Sequence, residues 1–202
     1  MIKHIPLALY VHIPWCERKC PYCDFNSHEN FDPSLENPYV DALLNDLEQQ
    51  LAWAEGRELV SIFFGGGTPS LFSGDAIRQI LEGIQQRLRL AADCEITLES
   101  NPGSAEARKY DAYRQAGVNR LSIGVQSFNR RHLSKLGRIH SGDEASKAIA
   151  LARSAGFDRL NIDLMYGLPD QTIKDGLEDI STGIEHGIDP VSYTHLTLPT
   201  IS

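Results

Sequence analysis

The chain has 202 residues, 42% of them hydrophobic, and a formal net charge of -8. That length suffices for one domain with its own core, and the acidic balance argues against a nucleic-acid partner, because phosphate binding rests on basic surface. No apolar stretch approaches ~18 residues, so no transmembrane helix is expected, and no N-terminal sorting segment is visible.

In chain order, a short apolar run at Leu7–Ile13 predicts a first strand, followed at once by Cys16-Glu-Arg-Lys-Cys20-Pro-Tyr-Cys23. Tyr39, Leu43, Leu44, Leu47 and Leu51 then recur at helical spacing, and Leu59–Phe64 predicts a second strand. A second helix carries Ile77, Ile80, Leu81, Ile84 and Leu88. Strands follow at Glu95–Glu99, Arg120–Val125 and Arg159–Leu164. Between the last two, the capping box Ser141-Gly-Asp-Glu144 opens a helix that runs to Gly156. A further helix begins near Thr172, carries Ile173, Leu177, Ile180 and Ile184, and stops at Gly187. A sixth strand fits loosely near Ser192–Leu198. Alternating strands and helices predict an α/β fold with a parallel sheet, a partial (β/α)6-type barrel truncated at about the fifth to sixth strand. No linker divides residues 1–190, which read as one incomplete core domain. Residues 191–202 are a doubtful tail that could be foreign sequence.

Cys16, Cys20 and Cys23 form a set of soft ligands one short of a closed site. Three thiolates on a [4Fe–4S] cluster leave one iron open to a small molecule. Zinc is the rival reading, with His12 or His28 as a fourth ligand. A disulfide framework does not fit four cysteines in a chain of this length. Cys94 lies too far along the chain to join the set and reads as a buried structural thiol. Cluster thiolates require a reducing compartment, which points to the cytoplasm.

Residues that a core would not choose follow the strands, where a β/α barrel gathers its chemistry. Phe64-Gly65-Gly66-Gly67-Thr68-Pro69 offers backbone N–H and C=O groups to a ligand. Glu99 and Gln126 end the third and fourth strands. Arg138 lies in Lys-Leu-Gly-Arg138-Ile-His140. Asp163, in Leu160-Asn-Ile-Asp163-Leu-Met, is a carboxylate within an apolar run and needs a partner.

The Cys-x3-Cys-x2-Cys spacing, with Tyr22 before the last cysteine, resembles the radical S-adenosylmethionine (SAM) superfamily. The order Tyr10, Cys16, Cys20, Tyr22, Cys23, Gly66, Gly67, Thr68, Glu99, Gln126, Arg138, Asp163 is similar to that of its oxygen-independent coproporphyrinogen oxidase family. Longer strings match too, among them Leu-Tyr-Val-His-Ile-Pro-Trp-Cys16, Gly-Gly-Gly-Thr-Pro-Ser70 and Asp-Leu-Met-Tyr-Gly-Leu-Pro169, and the likeness covers about residues 5–190. It implies a [4Fe–4S] cluster on Cys16, Cys20 and Cys23, with SAM chelated at the open iron and reductively cleaved to a 5′-deoxyadenosyl radical. Tyr10 and Tyr22 would lie beside the cluster or SAM. Gly66, Gly67, Thr68, Glu99, Gln126, Arg138 and Asp163 would line one or two SAM positions, with Glu99 on the ribose hydroxyls.

Within that family, the oxidases of porphyrin biosynthesis carry a further cysteine two residues after the third, where this chain has Phe25, and have a longer N-terminal segment. Both departures resemble instead the family's heme-chaperone branch, which implies heme and heme-acceptor proteins as partners, an electron donor, and room for oligomerisation and peripheral membrane contact. The alternative is oxygen-independent oxidation of coproporphyrinogen III. The family continues well past this chain, with a His-containing heme motif, so the chain is expected to be an N-terminal fragment with an exposed apolar edge.

Overall fold

A computed structural model describes residues 5–188 and 191–195. The elements follow in the order β1 (Leu7–Ile13), α1 (Glu36–Gln50), β2 (Leu59–Gly66), α2 (Gly74–Gln85), β3 (Leu90–Ser100), α3 (Ser104–Ala107), α4 (Tyr110–Ala116), β4 (Arg120–Gln126), α5 (Arg130–Lys135), α6 (Gly142–Ser154), β5 (Arg159–Tyr166), α7 (Ile173–Glu185) and β6 (Val191–His195). The six strands pair in parallel in sequence order, β1-β2-β3-β4-β5-β6, and the sheet curls into a partial barrel. Residues 196–198 of the expected sixth strand lie outside the described residues.

The alternation of side chains along a strand divides the sheet into two faces. Ile96, Leu98, Leu121, Ile123, Val125, Leu160, Ile162 and Leu164 are buried in the core that the helices cover. Glu99, Ser122 and Asn161 occupy one continuous rung of the other face, through the pairings Glu99↔Ser122 and Ser122↔Asn161. A parallel sheet covered on both faces is usually apolar throughout its strands. A polar inner face therefore marks where the fold keeps space for something other than side chains.

Capping explains most helix ends. Ser73 accepts from the Ala76 N–H at the start of α2, and the Ser141–Glu144 capping box opens α6 as the sequence predicts. A second capping box, Thr172–Asp175, opens α7, and Gly187 past its end has φ +67°. Leu51 and Leu88 fall just beyond α1 and α2. Strand β3 begins at Leu90, five residues before the expected start. Its register with β2 jumps from Leu59↔Leu90 to Ser61↔Glu95, and the extra residues between, Cys94 among them, are taken up as an irregularity. Cys94 is buried in the core, as expected. Helices α3, α4 and α5 lack a long periodic run and were not predicted. Tyr110 and Tyr113 with Gly117 are the short signals of α4, and the Asn129 cap with Leu133 those of α5.

Candidate functional site

The loop carrying the cysteines leaves β1 at Pro14 and is pinned at both ends. The Cys16 N–H donates to the His28 carbonyl at 2.8 Å and the His28 N–H to the Pro14 carbonyl at 2.7 Å. Below it, Trp15 packs among Phe31, Tyr39 and Phe72 with ring centroids 4.8–5.9 Å away. The Tyr39 hydroxyl donates to the His12 carbonyl at 2.8 Å. Aromatic packing with a satisfied hydroxyl is a stiff support. Within the loop, the Lys19 ammonium reaches the Phe25 and Ser27 carbonyls.

The glycine run docks onto the same loop. Gly67 and Thr68 donate their N–H groups to the Ile13 and Trp15 carbonyls at 2.8 and 2.7 Å. A Cβ on Gly67 would sit 2.5 Å from the Trp15 carbonyl oxygen, and Gly66 has φ +118°. Only glycine fits this approach. The sequence suggests that these N–H groups face a ligand, but two of them are spent joining the glycine and cysteine loops.

Thiols, glycines and strand ends meet around one cavity of about 360 Å³. Cys16, Cys20, Tyr22 and Cys23 form one wall, with Gly66, Gly67 and Thr68 beside them. Glu99, Gln126, Asp163 and Thr194 arrive from β3, β4, β5 and β6, and Arg138 from the α5–α6 connection. A flat sheet could not bring side chains from β3 to β6 and the loop after β1 to one space, so the curl of the barrel makes the site. Tyr10 stands behind these residues. It does not line the cavity; its ring sits next to Gly65 and its hydroxyl bonds His12 Nδ1 at 3.0 Å. Phe25 lines the cavity and is exposed.

Polar side chains around the cavity are tied into two networks. Arg138 donates to Asn101 Oδ1 at 3.0 Å and Asn101 Nδ2 donates to Thr68 Oγ1 at 3.2 Å, which links three loops. The Arg138 Nε is buried with no hydrogen-bond partner among the described residues. On the inner face, Ser122 and Asn161 donate to the two Asp163 oxygens at 3.0 and 2.9 Å, supplying the partners that this carboxylate requires. Sequence reasoning passed over Asn101, Ser122 and Asn161. Asn101 precedes a proline after a strand, and the other two are the polar residues of otherwise apolar runs.

Burial, together with the nearby Asp163 charge, pushes the Glu99 carboxyl up to about 7, while the Gly66 N–H pulls the other way. Burial also drives the Tyr22 phenol to about 12, against the pull of Arg138. Gln126 sits at φ +67°, an uncommon conformation for a residue with a side chain.

A profile of the radical SAM superfamily matches residues 10–182. The chain belongs to the radical SAM superfamily. Its curated relatives include the heme chaperone HemW of Escherichia coli, 52% identical over 98% of this chain and 52% of that protein. HemW of Haemophilus influenzae is 46% identical over 98% of this chain and 53% of that protein. Among solved structures, the coproporphyrinogen III oxidase HemN of E. coli, a radical SAM enzyme, superposes with a TM-score of 0.86. It is 33% identical over 97% of this chain and 45% of that one. The chain spans about half the length of the curated relatives it matches.

The donor set fits the cluster of a radical SAM protein. The three thiols flank one cavity as a set of soft ligands of the kind such a cluster takes. His12 has both ring nitrogens engaged, with Tyr10 and Asn26, and neither His12 nor His28 lines the cavity. No helix among the described residues is long and apolar enough to cross a membrane.

Proposed function

We propose that this chain is the cofactor-holding part of a heme chaperone. Cys16, Cys20 and Cys23 would hold a [4Fe–4S] cluster, and the cavity beside them would hold SAM. The observation that supports this most is the convergence of three thiols, the glycine loop and the ends of β3 to β6 on one space. With both cofactors bound, the chemistry available is one-electron cleavage of a sulfonium C–S bond, which protein side chains cannot perform.

The residues of the chain supply binding and orientation. With the Gly67 and Thr68 N–H groups engaged, carbonyl oxygen is what the glycine loop has left to offer an ammonium group. Glu99 has two acceptor oxygens for paired hydroxyls. With its carboxyl pushed up to about 7 it exists near neutrality in both protonated and ionised forms, and the protonated form can also donate. Arg138 lines the cavity, and its guanidinium fork suits a carboxylate. Tyr22, Gln126 and Asp163 complete the walls, and Tyr10 would act from behind Gly65, through Glu99. Heme and a heme-acceptor protein would be the partners, in a reducing, cytoplasmic compartment with an electron donor.

The likeness to HemN supports a second reading, oxidative decarboxylation of coproporphyrinogen III. The higher identity to HemW and Phe25 in place of a cysteine favour the chaperone. Anaerobic assays on the complete protein decide between them. Stoichiometric heme binding and transfer to an apo-acceptor without coproporphyrinogen turnover is the expected result. Turnover would overturn the chaperone reading.

A further inference from the structure

A second and larger cavity, of about 850 Å³, adjoins the first. Its size falls within the ~300–1,000 Å³ typical of small-molecule sites. Arg18 and Arg138 line both cavities, whereas Arg130 lines the larger and not the smaller. Among the described residues none of these three arginines forms an ion pair. Asp143 is the one acidic side chain among the described residues that line it. His140 adds no charge, because burial pushes its pKa down to about 4 and its ring is held by the Val125 carbonyl at 3.0 Å. The remaining wall has an apolar part formed by Phe128 and Ile139 over the buried Leu133, and Ile139 is largely exposed.

Unpaired guanidinium groups in a concave site attract anions, and their planar forks match carboxylates in particular. An apolar wall next to them suits a ligand with a hydrophobic body and acidic arms. We propose that the larger cavity receives the carboxylate side chains of a tetrapyrrole, with the macrocycle edge against Phe128 and Ile139. This rests on the reading of the protein as a tetrapyrrole-handling member of its superfamily. Through Arg18 and Arg138 the two sites share a wall, so a ligand here would lie next to the cofactor cavity.

The test uses the complete protein containing this chain, reconstituted anaerobically, and titrates it with protoporphyrin IX and with its dimethyl ester. Arg130→Glu should weaken the diacid about tenfold, the loss of one charged hydrogen bond, and leave the diester within about twofold. Arg130→Lys should recover part of the difference. Iron content equal to wild type in both variants shows that the cofactor site is intact. Tight wild-type binding of the diacid with no effect of Arg130→Glu, or an equal effect on both porphyrins, overturns the cavity assignment and spares the tetrapyrrole reading. Displacement of the diacid by stoichiometric SAM overturns it in favour of SAM. Binding of neither porphyrin by the wild type defeats both.

Discussion

Helix α2 turns Ile77, Ile80, Leu81 and Ile84 into the core, each no more than 2% exposed, while α7 leaves Ile173, Leu177 and Ile184 exposed at 86%, 59% and 63%. Both runs show the same helical spacing of large apolar residues. In α7 the buried residues are Gly176, Asp179 and Gly183 instead. Asp179 accepts from the Ser127 hydroxyl and the Phe128 N–H, both at 2.7 Å, and fastens the helix to the end of β4. Gly176 admits the Tyr193 hydroxyl of β6, 2.9 Å from where a Cβ would stand. Helix α2 is held by apolar burial, and α7 by a buried carboxylate between two glycines. Periodicity identifies a helix; which stripe faces inward depends on what the sheet presents to it.

The comparison predicts a graded set of effects. Ile80→Ala in α2 should cost about 4 kcal/mol in urea unfolding, because a fully buried side chain leaves a cavity. A loss below ~1 kcal/mol would mean that α2 is not the packed helix described here.

On the polar face of the sheet, the largest effect should depend on pH. The folded carboxyl of Glu99 titrates near 7 against an ordinary value of 4.5, so the folded state binds more protons between those limits. Its contribution is thus full below about pH 4.5 and is lost as pH rises through 7. Glu99→Gln should match wild type near pH 4.5 and exceed it by about 2 to 3 kcal/mol above pH 7. A constant difference across that range in chemical denaturation would contradict the assignment.

For α7, Asp179→Ala should cost about 2 kcal/mol, since it leaves the Phe128 N–H and the Ser127 hydroxyl without their acceptor. Leu177→Lys, on its exposed face, should change stability by less than about 0.5 kcal/mol. If instead Leu177→Lys proved the more damaging of the two in the isolated chain, α7 would be packed the other way round.

The same contrast shows what the sequence could reveal. Five strands and four long helices were legible, and the sixth strand only loosely, because parallel strands and amphipathic helices write their period directly into the chain. The cysteines, the glycine loop and the strand-end residues Glu99, Gln126 and Asp163 stood out as chemistry where a core would place none. The inward face of α7 did not, because a glycine–aspartate–glycine stripe looks solvated until its partners Ser127 and Phe128 are known. Nor did the Arg138–Asn101–Thr68 chain, which joins residues from three loops distant in sequence. Tyr10 was legible as a strand residue, but its hydroxyl bond to His12 on the same strand was not.

The central claim is that Cys16, Cys20 and Cys23, and not Cys94, form a cluster site in this fold. Iron and sulfide analysis after anaerobic reconstitution tests it most directly. Wild type and Cys94→Ala should each take up iron and sulfide for one [4Fe–4S] cluster, while replacing Cys16, Cys20 and Cys23 together by alanine should abolish it. Uptake of zinc without iron by the wild type, or a cluster that survives the triple replacement, would contradict the account.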